Sequence, residues 1–276
     1  RFMPELPEVQ TVVNYLAPIV QGKIIQSIDS PNHYDKVFEN RSAADFKKAV
    51  QGLEITRLWR RGKYIIFDLY EGYLALHLRM TGKLLPSPLH EKYTKHLSLC
   101  FDFSDQTKLY FYDYRKFGRI YFSSTLEWLE EKLGIEPLSK GFNLSWLTQS
   151  LAQRKRMMKP LLLDQSFIAG LGNIYVDEIL WKSNIHPQSM SDKITKKKLL
   201  RLYNSVQTTL LDAIAYNGTT FINFSFGNNR TGEFKEKLNV FGKQGQPCLN
   251  CGEKIQKIRV GQRGTHICNH CQKLHM

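Results

Sequence analysis

A chain of 276 residues with 42% hydrophobic and 23% charged residues is too long for one small module and has the composition of an ordinary soluble globular protein of two domains. Its formal net charge of +14 points to a polyanionic partner, because each phosphate met by Lys or Arg releases condensed counterions; nucleic acid, membrane surfaces and mere solubility all stay open on charge alone. No stretch approaches the roughly 18 apolar residues of a membrane span, and the start lacks the apolar core of a signal peptide, so no membrane partner is expected and a cytoplasmic location is the default.

Apolar Val9, Val12, Val13, Leu16, Ile19 and Val20 give residues 8–20 a helical period with one buried face. The pattern then changes. Segments 23–29, 53–60, 63–70, 73–78, 97–103, 107–112 and 119–123 are short and rich in β-branched and aromatic residues, with turns such as Arg61-Gly62, Glu71-Gly72 and Ser104-Asp105 between several of them. This predicts a β-sandwich or barrel preceded by a helix. From about 125 the period is helical again, over 126–133, 144–153, 159–163, 174–181 and 195–215, and residues 218–245 read as a long loop rich in Asn, Gly and Phe. The expected fold class is α+β, with domains at 4–124, 125–240 and a finger at 241–276. No extended apolar interaction surface is apparent, which predicts a monomer.

Four of the five cysteines lie close together, as Cys248-Leu-Asn-Cys251 and Cys268-Asn-His-Cys271. Two such pairs on facing turns give four thiolates in tetrahedral array around one Zn2+, against the alternatives of a disulfide pair or chance spacing. With all four positions taken by protein, the metal is structural rather than catalytic. Between the pairs, Gly261–Thr265 reads as the turn of a β-hairpin with Arg263 at its tip, suited either to a bidentate phosphate contact or to plain solvation. The remaining Cys100 sits in an apolar strand and reads as packing.

Several separated segments resemble one family in the expected order. Met3-Pro-Glu-Leu-Pro-Glu-Val9 is similar to the N-terminal signature of the bacterial formamidopyrimidine-DNA glycosylases. Arg60–Tyr64, His77–Gly82 and Asp113–Gly118 resemble that family's DNA-facing loops; Leu163-Asp-Gln with Gly170–Glu178 resembles its helix-two-turn-helix element, and the cysteine pairs with Gly261–Thr265 its zinc ribbon. The resemblance runs from Met3 nearly to the last residue. It implies an N-terminal β-sandwich with a helix, a C-terminal helix-two-turn-helix domain and a zinc-ribbon hairpin. It also implies an enzyme: a DNA glycosylase and class I AP lyase of base excision repair, acting on duplex DNA that holds oxidised purines (8-oxoguanine, formamidopyrimidines) or abasic sites. A bacterial, nucleoid-associated location goes with it. The sister endonuclease VIII branch, which prefers oxidised pyrimidines, is the nearest alternative; the Leu-Pro-Glu opening with Met80, Arg115 and Phe117 resembles the formamidopyrimidine branch instead.

The resemblance also assigns roles. The secondary amine of Pro4 is the nucleophile, and Glu5 carries protons at the sugar or the leaving base. Lys63 and Arg263 join this catalytic set as phosphate-binding cations, with Lys63 as a back-up amine. His77 and Asn173 bind phosphate as well. Met80 and Phe117 fill the space of an everted base and Arg115 holds the widowed cytosine, since taking a base out of the stack costs a few kcal/mol and leaves a hole. An α-amine suits Schiff-base chemistry because its ordinary pKa of about 7.7–8.0 leaves on the order of a tenth of it neutral at pH 7, against well under a thousandth for lysine. Glu8 reads as orienting the N-terminus or capping the first helix.

Some positions depart from the family pattern. Arg1-Phe2-Met3 precede Pro4, and inside a chain the Pro4 nitrogen is a tertiary amide that cannot attack. Translation from Met3 followed by methionine removal is therefore expected; with Pro4 blocked, a non-catalytic zinc protein that binds damaged DNA is the competing reading. Gln10 replaces a usual Glu at a surface helix position, and Phe241-Gly-Lys243 replaces a common Tyr-Gly-Arg near the DNA. The segment Thr219–Lys237 corresponds to the one that covers an everted base in the family, and its individual sequence leaves the preferred lesion open.

Overall fold

The computed structural model describes residues 3–219 and 232–276; Arg1, Phe2 and the stretch 220–231, within the segment expected to cover an everted base, lie outside the described residues. The chain forms two compact units, Arg1–Glu130 with Asn217–Gly232, and Glu131–Tyr216 with Glu233–Met276.

In the first unit α1 (Leu6–Val20) starts two residues earlier than its apolar period suggests. Pro7 falls in the first turn, where a missing N–H costs nothing because that donor has no intrahelical partner. Two antiparallel four-stranded sheets follow. One has the order β1 (Ile25–Asp29), β6 (Leu97–Phe103), β7 (Lys108–Asp113), β5 (Gly82–Leu85). The other has the order β2 (Ile55–Arg61), β3 (Tyr64–Leu69), β4 (Tyr73–His77), β8 (Arg119–Ser123). Alternate residues Ile65, Phe67 and Leu69 of β3 and Leu99, Phe101 and Phe103 of β6 enter one core, where Phe67 stacks on Phe101 at 5.6 Å. This is the β-sandwich. Val9, Val12, Val13, Leu16 and Val20 of α1 join the same core, each worth about 1.5–3 kcal/mol of burial.

Two elements escape the sequence pattern. α2 (Ala43–Val50), capped by Ser42, buries only Phe46 and Val50, too few positions to register as a period. The four-residue β5 begins at Gly82, the last residue of the His77–Gly82 loop motif, and is too short to register as an alternation. α3 (Glu127–Lys132) spans the point where the chain passes from the first unit to the second.

The second unit is helical: α4 (Leu144–Ala152), α5 (Met158–Leu163), α6 (Asn173–Lys182) and α7 (Lys196–Ala215). Leu199, Leu202, Val206, Leu210 and Ala213 form the buried stripe of α7. Between α5 and α6 the double turn is stitched by Gln165. Its Nε2 donates to the Leu163 and Leu171 carbonyls (2.9 and 2.8 Å) and its Oε1 accepts the Gly170 N–H at 2.9 Å. The chain ends in an antiparallel hairpin, β9 (Gln256–Val260) with β10 (Arg263–Ile267). Among the described residues no helix is long and apolar enough to cross a membrane.

Candidate active site and DNA interface

Pro4 and Glu5 are buried at the head of α1. Glu5 is the N-cap, and its N–H donates to Glu8 Oε2 at 2.9 Å, so Glu8, itself 2% exposed, fixes the peptide that follows Pro4. Lys63 completes the β2–β3 turn at 9% exposure, after Gly62 in a left-handed conformation (φ 56°). Arg60 pins this turn to α1, donating from Nε to Gln10 Oε1 and from Nη1 to the Gly62 carbonyl, both at 3.0 Å. Glutamine at position 10 thus serves as an acceptor for a cation.

His77 ends β4, 7% exposed, its ring set edge-on to Tyr64 at 4.6 Å. Its Nδ1 accepts the Arg79 N–H at 2.9 Å, which places the proton of the neutral ring on Nε2. That tautomer makes Nε2 a donor, the form an anionic oxygen requires.

Met80, Arg115 and Phe117 come from two loops that the structure brings together. A guanidinium nitrogen of Arg115 lies 2.7 Å from the Met80 sulfur, and its carbon stands 4.5 Å from the centre of the Phe117 ring. Phe117 is 45% exposed, so it is not core. The organiser of both loops is Asp113, fully buried, whose importance sequence reasoning missed. Its Oδ1 accepts the Thr81 hydroxyl and the Arg115 N–H (3.1 Å), and its Oδ2 accepts the Gly118 N–H at 2.6 Å. Gly82 and Gly118 both press on the Phe111 ring so closely that a Cβ at either would overlap it. A lone carboxylate at a strand end between two polar turns was the available signal.

In the second unit Asn173 opens α6 and donates from Nδ2 to the Gly264 carbonyl at 3.1 Å. Arg263 is exposed and begins β10 opposite Val260. The hairpin turn is tighter than expected: Gly261 and Gln262 alone form it, both at positive φ (52° and 63°) as a type I′ turn demands. Beneath lies an ion pair that sequence reasoning also missed. Lys159 and Asp177, both fully buried as side chains, meet at 2.6 Å. Lys159 also donates to the Gly264 carbonyl (3.2 Å), and Asp177 Oδ2 accepts the His266 N–H (2.8 Å). The two α6/α5 side chains therefore grip the hairpin strand that carries Arg263. Glu178, next on α6, gathers the backbone N–H groups of Asn239, Val240 and Phe241 at 2.9–3.0 Å. Phe241 is buried edge-on against His266 at 4.9 Å, so its ring serves packing.

The sulfurs of Cys248, Cys251, Cys268 and Cys271 all lie within 4.8 Å of one another, with Cys248–Cys271 at 3.9 Å and Cys251–Cys268 at 3.4 Å. A tetrahedron of thiolates at the usual Zn–S distance of about 2.3 Å has edges of about 3.8 Å. The four residues fit one structural zinc ion. Burial pushes the Cys248 thiol up, but hydrogen bonds from the Asn250 backbone, the Trp181 indole, Cys268 and the Cys251 backbone outweigh it and bring the pKa to about 7, while burial pushes the Cys268 and Cys271 thiols up. Cys100 is likewise buried, at 7% exposure, and pushed up to about 11 chiefly by that burial.

Residues 3–120 match the formamidopyrimidine-DNA glycosylase N-terminal domain, 133–225 its H2TH domain, and 245–274 the zinc finger found in FPG and IleRS. The formamidopyrimidine-DNA glycosylase of Pediococcus pentosaceus is 42% identical and that of Pelotomaculum thermopropionicum 40%, each alignment covering 99% of this chain and 100% of the relative. The chain belongs to the formamidopyrimidine-DNA glycosylase family. Its structure is similar to that of wild-type Lactococcus lactis Fpg (MutM) in complex with DNA containing N7-benzyl-Fapy-dG, with a TM-score of 0.87, 35% identity, and coverage of 98% and 100%. It is likewise similar to Lactococcus lactis Fpg with abasic-site DNA (TM-score 0.86, 35% identity, coverage 98% and 99%). In formamidopyrimidine-DNA glycosylase terms, the first unit of this chain carries Pro4, Glu5, Lys63, His77, Met80, Arg115 and Phe117, and the second carries Asn173, Arg263 and the zinc cysteines.

Proposed function

We propose that this protein is a cytoplasmic DNA glycosylase and AP lyase of base excision repair that removes 8-oxoguanine and formamidopyrimidines from duplex DNA. The observation that carries the reading is the Met80–Arg115–Phe117 cluster, an apolar plug, a hydrogen-bonding fork and an exposed ring held on two loops by one buried carboxylate. Such a set has no packing purpose at a 45% exposed phenylalanine, and suits a duplex from which one base has been everted. Arg115 would exchange its contacts with sulfur and ring for the widowed base. The net charge of +14 supplies the sequence-independent attraction to the backbone.

The reaction requires Pro4 as the first residue of the mature chain. Its nitrogen lone pair attacks C1′ of the everted nucleotide, and the N-glycosidic electron pair leaves with the base, which takes up a proton. The sugar ring opens to an iminium bound to Pro4. Loss of a C2′ proton then expels the 3′ phosphate, and a second elimination expels the 5′ phosphate. In this scheme Glu5 carries these protons, and Lys63, His77, Asn173 and Arg263 are the phosphate donors. The zinc ribbon shapes the hairpin of Arg263 and takes no part in the chemistry.

The test is borohydride trapping on duplex containing 8-oxoguanine opposite cytosine, beside a duplex with an oxidised pyrimidine. Protein beginning at Pro4 is expected to give a covalent adduct and a one-nucleoside gap, and protein retaining Arg1-Phe2-Met3 to give neither. An adduct of equal yield from the longer chain would remove Pro4 as nucleophile. A related protein, Lactococcus lactis Fpg, has been crystallised with DNA containing an oxidised pyrimidine, so the second duplex measures preference rather than identity.

A further inference from the structure

Glu8, in the first turn of α1, does more than start a helix. Its Oε2 accepts the Glu5 N–H at 2.9 Å, while its Oε1 accepts both the Thr219 N–H at 2.8 Å and the Thr219 hydroxyl at 3.0 Å. Both partners are buried, Glu8 at 2% and Thr219 at 2% exposure. The peptide whose N–H meets Oε2 is the one joining Pro4 to Glu5, so this bond orients the Pro4 carbonyl and ring directly. The approach from the other side is equally constrained. Gly218, at φ +75°, lies so near that a Cβ there would stand 2.7 Å from Glu8 Oε1, and Gly232 packs on the Asn217 and Gly218 carbonyls too closely to accept a side chain. Among the described residues, the Glu5 N–H, the Thr219 N–H and the Thr219 hydroxyl all converge on this carboxylate, which accepts at both of its oxygens.

We propose that Glu8 is a positioning residue that sets the geometry of the Pro4 nucleophile through a buried brace to Thr219, so that the Asn217–Thr219 bend, more than two hundred residues along the chain, determines the rate of iminium formation. This rests on the reading of Pro4 as the nucleophile. Glu8→Gln keeps the shape but turns an NH2 group toward either the Glu5 or the Thr219 N–H, leaving that donor without an acceptor. Glu8→Asp draws the carboxylate back by one methylene. Thr219→Val keeps the backbone bond and removes the hydroxyl one.

The experiment is single-turnover borohydride trapping, with enzyme in excess, on a duplex carrying a ready-made abasic site, so that base recognition plays no part. Affinity for a duplex with an unreactive tetrahydrofuran abasic analogue is measured alongside, with thermal unfolding to follow folding. In protein beginning at Pro4, Thr219→Val is expected to slow trapping about two- to tenfold and Glu8→Gln about ten- to a hundredfold, with tetrahydrofuran-duplex affinity unchanged. The double variant is expected to be no slower than Glu8→Gln alone, because the hydroxyl acts through the carboxylate. A brace that were merely structural would lower the melting temperature and leave the trapping rate of the folded protein untouched, and that result overturns the proposal. So does a Thr219→Val protein that traps at the parent rate, which decides the matter even if Glu8→Gln does not fold. Absence of any adduct from the parent protein refutes the proline reading itself, and is thereby distinguished from failure of the brace.

Discussion

Replacing Lys159 by Met tests whether the buried ion pair under the ribbon hairpin supports the second unit. The Lys159 ammonium has no solvent contact, lies 2.6 Å from Asp177 and also donates to the Gly264 carbonyl. Methionine matches the stem but leaves the Asp177 carboxylate buried with only the His266 N–H and ring beside it. Breaking one side of a buried pair costs about 3–5 kcal/mol, because the charge left behind has lost its compensation. For a unit of this size that is a fall in melting temperature of about 10–20 °C. Asp177→Asn added to the same protein removes the stranded charge, so the double variant is expected to recover part of the loss and show a coupling of about 2 kcal/mol or more. Thermal unfolding of the zinc-loaded parent, both single variants and the double variant closes the cycle. A Lys159→Met protein melting within 3 °C of the parent (about 1 kcal/mol), or strictly additive losses, would refute the argument.

Asp113→Ala should strip the Thr81 hydroxyl and the Gly118 N–H of their acceptor at a fully buried position, while the Arg115 N–H keeps the Thr81 oxygen at 3.0 Å; the cost should be about 2–3 kcal/mol in urea unfolding, with 8-oxoguanine excision lowered beyond the loss of folded protein. Chelating zinc, or Cys251→Ser, should free the hairpin that presents Arg263; a phosphate contact of that kind is worth about 1.5–3 kcal/mol, so duplex affinity in an anisotropy titration should fall about tenfold or more and return with zinc after chelation. The stability of the second unit should also depend on pH. Burial holds His186 below the ordinary histidine value of 6.5, and burial followed by the Lys198 charge does the same for His275. Between those lowered values and 6.5 the unfolded chain binds protons that the folded one refuses, so stability is full above about 6.5 and declines as pH falls through that interval. Denaturant midpoints at pH 7.5 and 5.5 measure this, and a higher midpoint at 5.5 would contradict it.

What could be read from the sequence was whatever repeats locally. The sandwich strands announce themselves by β-branched and aromatic runs, and α6 and α7 by apolar period and a glycine or threonine before them. The zinc cysteines were legible because thiolate pairs need a fixed short spacing. Contacts between distant polar residues were not. Lys159 and Asp177 stand 18 positions apart and look like two surface charges until the hairpin closes over them. Asp113 shares its motif with Arg115 and Phe117, whose residue types carry the stronger signal, and its buried hydrogen bonds have no counterpart in the sequence pattern. The sequence spreads the hairpin turn over Gly261–Thr265, wider than the two residues that form it, because Gln262 at positive φ carries no composition signal, whereas Gly261 does.

Helix α6 has a consequence for how this protein can change over time. Every residue from Ile174 to Trp181 is enclosed, leaving only Asn173 and Lys182 at the two ends partly open to water. Asp177 holds the ribbon strand and Glu178 holds the 239–241 bend, while the apolar positions between them face the interior. Such a rod has no neutral side. An exchange anywhere along its middle is felt by one of three separate neighbours, so drift in these ten positions must be matched by simultaneous adjustment elsewhere.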